Sequence, residues 1–398
     1  MRLGFNALFL GRPWSGSGQY IHNLLRGLLE LAGSNDYVLH VPEESDSELP
    51  GFSNDLRVLS NPFTQRSENL AKLWFEQVAF PSACRRSSLD LAHVPYFAPP
   101  LYPPVPIVVT IHDVIPLLLP AYRGSIRVRL YMRLVSAAAR RADMVITDSQ
   151  HSKKDIVEHL HLPAERVRVI YLAADPACQP VTDESALCAV RRRYGLPEDY
   201  LLYLGGFDKR KNLPTLMTAY ARAQEAMSGE APPLAVAGRL PEVETALFPD
   251  PRRIAEELHI EHSVVFTGWI AEEDKPAVYG GALFFVSLSL YEGFGLMPLE
   301  SMSCGTPVLV GRTSSLPEVV GPGGLLVDPM NMDEVVDAMV ALIQDPLQRS
   351  RLAAAALVQA SRFRWEATAE QTLQVYEHVL RGSAANATPV PGAGGHFS

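Results

Sequence analysis

The chain has 398 residues, 47% hydrophobic and 20% charged, as a globular protein with room for two ordinary domains would have. Its net charge of −9 argues against generic nucleic-acid binding, and no apolar run is long enough to span a bilayer. The charge is uneven: residues 1–178 hold 18 Lys and Arg against 17 Asp and Glu, the remainder 17 against 27, so the first half is the more basic.

Residues 3–10 read as the first strand. The loop over 11–20, carrying Gly16 and Gly18, leads into a helix over 21–31 with Ile21, Leu24, Leu25, Leu28 and Leu29 on one face. A Gly-x-Gly before a helix suggests phosphate or sugar contact, or a plain connection. It lacks the three-glycine dinucleotide fingerprint, which speaks against a Rossmann dehydrogenase. Strands follow at 38–41, 56–58 and 89–94. The strand over 107–111 delivers His112 and Asp113 to its C-terminal end, where open parallel sheets bind ligands. A helix with arginines at 123, 127, 129, 133, 140 and 141 reads as a solvated basic face or as a surface for an anionic leaflet. Residues 144–147 form a strand, 148–152 cap a helix over 153–160, and 167–170 close the first domain.

Residues 176–198 read as a linker and the first helix of a second domain. Strands at 200–204, 234–238, 264–266, 282–287 and 308–310 alternate with helices, a parallel doubly wound α/β pattern. The first of them runs through Gly205 and Gly206 into Arg210, Lys211 and Asn212. This is an exposed basic turn, or a pair of cations for a diphosphate leaving group. The strand at 282–287 opens the densest stretch of the chain. Gly293 and Gly295 break it, and Pro298 suits a first helical turn. A helix start facing a glycine loop is an anion site. Taken singly, Glu292 is a solvated carboxylate and Glu300 a first-turn complement to the helix dipole. With both glycines and the proline at this spacing they suggest a sugar-nucleotide site. There, Glu292 and the N–H groups of Gly293, Phe294 and Gly295 hold sugar hydroxyls and phosphate, and Glu300 accepts the ribose hydroxyls.

No Asp-x-Asp and no His/Cys set offers metal ligands, so neither metal nor cofactor is expected. Cys84, Cys178, Cys188 and Cys304 stand far apart and read as reduced thiols of a cytoplasmic protein, and the N-terminus is too interrupted for a signal peptide. A final helix spans 365–380, and residues 383–398 read as a disordered tail.

Glu292 and Glu300, seven residues apart in the gap between them, resemble the paired-glutamate motif of retaining GT-B glycosyltransferases. The text continuing through 313–320 and 324–329 is similar to glycosyltransferase family 4. The resemblance implies a GT-B architecture, two doubly wound Rossmann-like domains facing across a cleft. An acceptor domain takes residues 1–178, a donor domain 179–364, and a helix over 365–382 crosses back to the first. It also implies retention of anomeric configuration without a catalytic metal. Gly16 and Gly18 match the family's glycine loop near the donor phosphates. Lys211 matches the family's lysine. Gly206 stands where the family has an arginine, and Arg210 supplies the guanidinium instead. His112 matches the histidine near the reaction centre. The expected site is therefore His112 and Glu292 in catalysis, with Gly16, Gly18, Arg210, Lys211, Gly293, Phe294, Gly295 and Glu300 on the donor. The segments 16–20, 112–116 and 210–212 are most similar to a mannosyltransferase-like branch. That implies GDP-mannose as donor, a growing polysaccharide or lipid-linked saccharide as acceptor, and a cytoplasmic enzyme with peripheral contact to the inner leaflet. A sugar-nucleotide epimerase of the same fold and a non-catalytic nucleotide-sugar binder are the competing readings.

Overall fold

The computed structural model describes residues 1–12, 14–31, 34–43, 56–63 and 66–387. The chain divides into two units. The first comprises residues 1–148, 153–170 and 365 onward, and the second 149–152 and 171–364. The division at 170/171 falls earlier in the chain than the expected boundary at 178.

In the first unit, β1 (Arg2–Asn6), β2 (Asp36–Pro42), β3 (Leu56–Leu59), β4 (Leu91–Val94), β5 (Ile107–Thr110), β6 (Met144–Thr147) and β7 (Val167–Val169) form a parallel sheet in the order β3-β2-β1-β4-β5-β6-β7. Strands such as β5 and β6 are buried along their whole length. Helices cover both faces, so these strands read as continuous apolar runs rather than alternating ones. The order reverses between β1 and β4, which places ligand-binding loops at the C-terminal ends of the central strands.

The first helix begins at Gly16, five residues earlier than its apolar face suggested. The Ser15 hydroxyl caps it by accepting the Gly18 N–H at 3.1 Å. Gly18 has a steric reason to be glycine: a Cβ there would sit 1.9 Å from the Arg12 carbonyl oxygen, whereas one on Gly16 would meet open space. The C-terminal helix Trp365–Ala387 groups with this unit and lies on the first helix. Gly27 permits the approach, since a Cβ there would be 2.9 Å from the Cβ of Ala369. This helix runs five residues into the segment read as a disordered tail, and residues 388–398 lie outside the described part.

In the second unit, β8 (Leu201–Leu204), β9 (Leu234–Ala237), β10 (Val264–Gly268), β11 (Phe284–Ser287), β12 (Val308–Gly311) and β13 (Gly324–Val327) form a parallel sheet in the order β10-β9-β8-β11-β12-β13. Its core gathers Leu201, Tyr203, Val236, Phe284, Val286 and Leu309 from the strands with Leu216, Tyr220 and Met339 from the flanking helices. The fold class is thus α/β, two doubly wound parallel sheets. Among the described residues no helix is long and apolar enough to cross a membrane.

Candidate active site

In the second unit the site is built on the loops that follow β8 and β11, neighbours in the sheet. After β8 a 3-10 turn, Lys209–Lys211, ends on Asn212, held in the left-handed region at φ 56°. The helix Leu213–Ala226 then starts with a proline in its first turn. This geometry points Arg210 and Lys211 at the loop after β11. Lys211 Nζ donates to Glu292 Oε1 at 2.6 Å, and Arg210 Nη1 donates to Glu292 Oε2 and to the Tyr291 carbonyl, both at 2.7 Å. Asp208 is a second partner of Arg210, at 3.3 Å. Burial works to raise the Glu292 carboxyl, but Lys211 and Arg210 outweigh it and hold the pKa down at about 2. Glu292 is therefore an anion that fixes two cations, and Lys211 has spent one of its three N–H donors on it.

The loop beyond Glu292 is pinned through its carbonyls. Ser315 Oγ donates to the carbonyls of Glu292 (2.9 Å) and Phe294 (2.6 Å). Ser149 and Ser152, in the short segment that groups with the second unit, donate to the Gly293 carbonyl at 2.7 and 3.0 Å. Among the described residues no acceptor is bonded to the N–H groups of Gly293, Phe294 or Gly295. Gly295 lies at φ 117° and N-caps the helix Leu296–Ser303. The loop thus presents unused backbone donors at a helix N-terminus, beside a fixed lysine and arginine. That is the chemistry of a phosphate cradle.

Glu300 occupies the second turn of this helix rather than the first, and it is 3% exposed. Its Oε2 accepts the Tyr279 hydroxyl at 2.9 Å. Burial raises its pKa, and the nearby Lys275 ammonium and the Tyr279 bond pull the other way. Its role as a simple complement to the helix dipole is excluded by this position.

In the first unit, His112 follows β5 and Asp148 follows β6, so adjacent parallel strands end side by side. His112 Nδ1 and Asp148 Oδ2 are 2.7 Å apart. Burial pulls the imidazole pKa down, but the charge and hydrogen bond of Asp148, with the charge of Asp113, carry it above the ordinary histidine value. Tyr20, from the helix that begins at Gly16, packs edge-on against the His112 ring at 4.9 Å. The Tyr20 hydroxyl is 3.0 Å from Thr110 Oγ1, which is 2.9 Å from His93 Nε2, and His93 Nδ1 is 2.7 Å from the Tyr376 hydroxyl. His112 thus stands on a buried polar chain that ends in the C-terminal helix.

Glu292, Gly293, Phe294, Gly295, Arg210 and Lys211 lie together in the second unit. His112, Gly16 and Gly18 belong to the first. Asp113, delivered with His112 to the strand end, accepts the Ile115 N–H and closes a local turn. Asp148, read as a helix cap, is the carboxylate on His112, and the capping bond at that helix start is Ser152 N–H to Ser149 Oγ. The legible signal was the position of Asp148 at the end of the strand next to the one that delivers His112. The serines that pin the glycine loop had no signal, because they come from distant segments. Among the described residues no group of three His, Cys, Asp or Glu side chains is arranged to hold a metal ion.

Two parallel doubly wound units are the fold of the GT-B class of glycosyltransferases. The family model "Glycosyltransferase Family 4" matches residues 14–177 and "Glycosyl transferases group 1" matches residues 191–359. The chain belongs to glycosyltransferase family 4. It is 28% identical over 376 residues to the O-antigen chain mannosyltransferase B of Escherichia coli, covering 92% of this chain and 96% of that one. It is 30% identical over 276 residues to the serotype-specific mannosyltransferase WbdA of Escherichia coli, covering 68% of this chain and 33% of that one. Sucrose-phosphate synthase from Thermosynechococcus elongatus shares the fold, with a TM-score of 0.74 at 22% identity over 96% of this chain and 100% of that one.

Proposed function

We propose that the chain transfers mannose from GDP-mannose to a saccharide or lipid-linked saccharide in polysaccharide or glycolipid synthesis, with retention of anomeric configuration and no catalytic metal. The observation that carries this reading is the set of unused N–H groups of Gly293–Gly295 beside Lys211 and Arg210, both fixed by Glu292. A nucleoside diphosphate leaving group gains charge as the sugar departs. Fixed donors in place beforehand stabilise that charge without reorganisation. In this assignment Lys211 and Arg210 take the diphosphate together with the loop N–H groups. Glu292 holds the two cations and keeps lone pairs for a sugar hydroxyl. Glu300, held by the Tyr279 hydroxyl, accepts the ribose. His112, oriented by Asp148 through Nδ1, turns its other ring nitrogen to the transferring sugar or its phosphate. The mannosyltransferases to which the chain is similar support mannose as the sugar.

The test is a thermal-shift screen against nucleotide-sugars, followed by product analysis with the stabilising donor. A bound donor raises the midpoint by mass action. GDP-mannose is expected to give the largest rise, and proton NMR of the product to show the donor's anomeric configuration kept. A larger rise with another sugar nucleotide would replace the donor. An altered free sugar formed without acceptor would make the chain an epimerase, and donor binding without turnover or slow hydrolysis would make it a silent binder. Loss of activity in EDTA, restored by magnesium or manganese, would overturn the metal-free mechanism.

A further inference from the structure

Asp148 fixes the Nδ1 corner of the His112 imidazole at 2.7 Å. A bond at one corner leaves the plane of the ring to be set by what packs on it. On His112 that is Tyr20, whose ring stands at 83° to the imidazole with centroids 4.9 Å apart. An edge-to-face pair of this kind is directional, so the Tyr20 ring holds a preferred imidazole plane only while its own orientation is held.

Tyr20 is held from two sides by the C-terminal helix. Its ring lies 6.3 Å from that of Trp365, the first residue of the helix Trp365–Ala387. Its hydroxyl is 3.0 Å from Thr110 Oγ1, at the end of β5 and two residues before His112. The Thr110 hydroxyl also meets His93 Nε2, from the neighbouring β4, at 2.9 Å, and His93 Nδ1 meets the Tyr376 hydroxyl at 2.7 Å. All of these residues are buried, Tyr20 being the most exposed at 2%. Burial keeps His93 neutral, with its pKa down at about 3, so its ring has one N–H and one acceptor nitrogen. Thr110 and Tyr376 engage both, and removing either strands a buried ring nitrogen. Seating a helix needs only close packing, which Gly27 and Ala369 already supply. A chain of directional bonds adds a single orientation for each ring. We propose that Tyr20 and Tyr376 are positioning residues for His112: the C-terminal helix, through Tyr376, His93 and Thr110, locks the Tyr20 ring, and that ring fixes the plane of the imidazole. The effect on turnover rests on the assignment of His112 to the transferring sugar; the orientation of the ring does not.

The test joins ring spectroscopy to kinetics on the full chain labelled with nitrogen-15 histidine. The His112 ring signals are those lost in His112→Ala. Tyr20→Phe, Thr110→Val and Tyr376→Phe each remove one hydroxyl and keep the side-chain shape, and each should shift the His112 signals. Val379→Ala, at a buried apolar residue of the same helix outside the chain of bonds, should leave them in place. Turnover of GDP-mannose should fall about tenfold in the three hydroxyl variants and up to about 100-fold in Tyr20→Leu, with the donor KM within about twofold. Tyr20→Phe combined with Tyr376→Phe should cost no more than either alone, because both act through one chain. With His112→Ala in place, none of them should cost anything further. His112 signals unmoved in all three hydroxyl variants would overturn the proposal, as would the same fall in turnover with His112 absent. Either result would leave the chain of bonds as a seat for the helix. Wild-type turnover in His112→Ala, or no turnover of GDP-mannose by the unaltered chain, would instead refute the assignment of His112 or of the donor, and the ring signals then decide the positioning by themselves.

Discussion

Two carboxylates eight positions apart in one loop and helix have opposite electrostatic fates. Glu292 is held down at a pKa of about 2 because Lys211 and Arg210 outweigh its burial, whereas burial raises Glu300. For Glu292 the folded value lies below the ordinary 4.5. Its contribution to stability is therefore present above pH 4.5 and lost as the pH falls towards 2. Glu292→Gln should remove that part of the acid-unfolding slope. It should also cost about 3–5 kcal/mol at neutral pH, since it leaves the buried Lys211 ammonium without its anion, while Arg210 keeps Asp208; chemical denaturation at several pH values checks both. Glu300→Ala should weaken nucleoside diphosphate binding by about 1.5–3 kcal/mol, the range for hydrogen bonds to a charged group. Unchanged affinity in calorimetry, with only stability lost, would assign Glu300 to its bond with Tyr279 alone. His112 is shifted the other way, above its ordinary value, by Asp148. If its imidazolium is the working form, activity falls as pH rises through that shifted value. Asp148→Asn should move the fall to lower pH and reduce turnover more than donor affinity. An unmoved profile in steady-state kinetics would make Asp148 a purely structural partner.

At the scale of elements, two glycines of one loop separate cleanly. Gly18→Ala places a methyl 1.9 Å from the Arg12 carbonyl oxygen and should destabilise by about 1–3 kcal/mol, the cost of overpacking, whereas Gly16→Ala should leave stability intact. Urea titration distinguishes them, and equal effects would contradict the packing. The same loop marks what the sequence can and cannot say. Buried parallel strands such as 107–110 and 284–287 announce themselves as apolar runs, whereas the edge strand Gly324–Val327, only partly buried, is not among the expected ones. The glycine loop after β11 and the basic turn after β8 were readable as well, because glycine, proline and charge mark a strand's end. Their mutual contact was not, since no local pattern tells that Lys211 reaches a carboxylate 81 positions on. The start of the first helix was misjudged because its first turn, from Gly16, lacks apolar residues and is specified by the Ser15 cap instead. The helix Trp365–Ala387 outran its expected end because its last residues are small and polar, which local composition does not distinguish from a tail.

At the scale of the whole molecule, each unit has its own sheet and core, but only the second is nearly continuous in sequence. The first is completed by Trp365–Ala387, which meets the opening helix at Gly27 and reaches the centre of the sheet through the Tyr376 bond to His93. A chain ending at Arg364 should keep a cooperative transition for the second unit and lose the one for the first, which calorimetry resolves; two intact transitions would refute it. Gly27→Leu should weaken the first unit in the same way without affecting donor-induced stabilisation of the second. The interrupted layout also sets an order of events on the ribosome. Residues 1–170 emerge first yet wait for a segment made after the whole second unit, so the part synthesised earliest is the last to be finished. For that interval its Tyr20–Thr110–His93 chain lacks the tyrosine that terminates it, and the groove beside Gly27 stands open. Nascent chains stalled at 364 are therefore expected to be cut by protease within 1–170 while 171–364 resists.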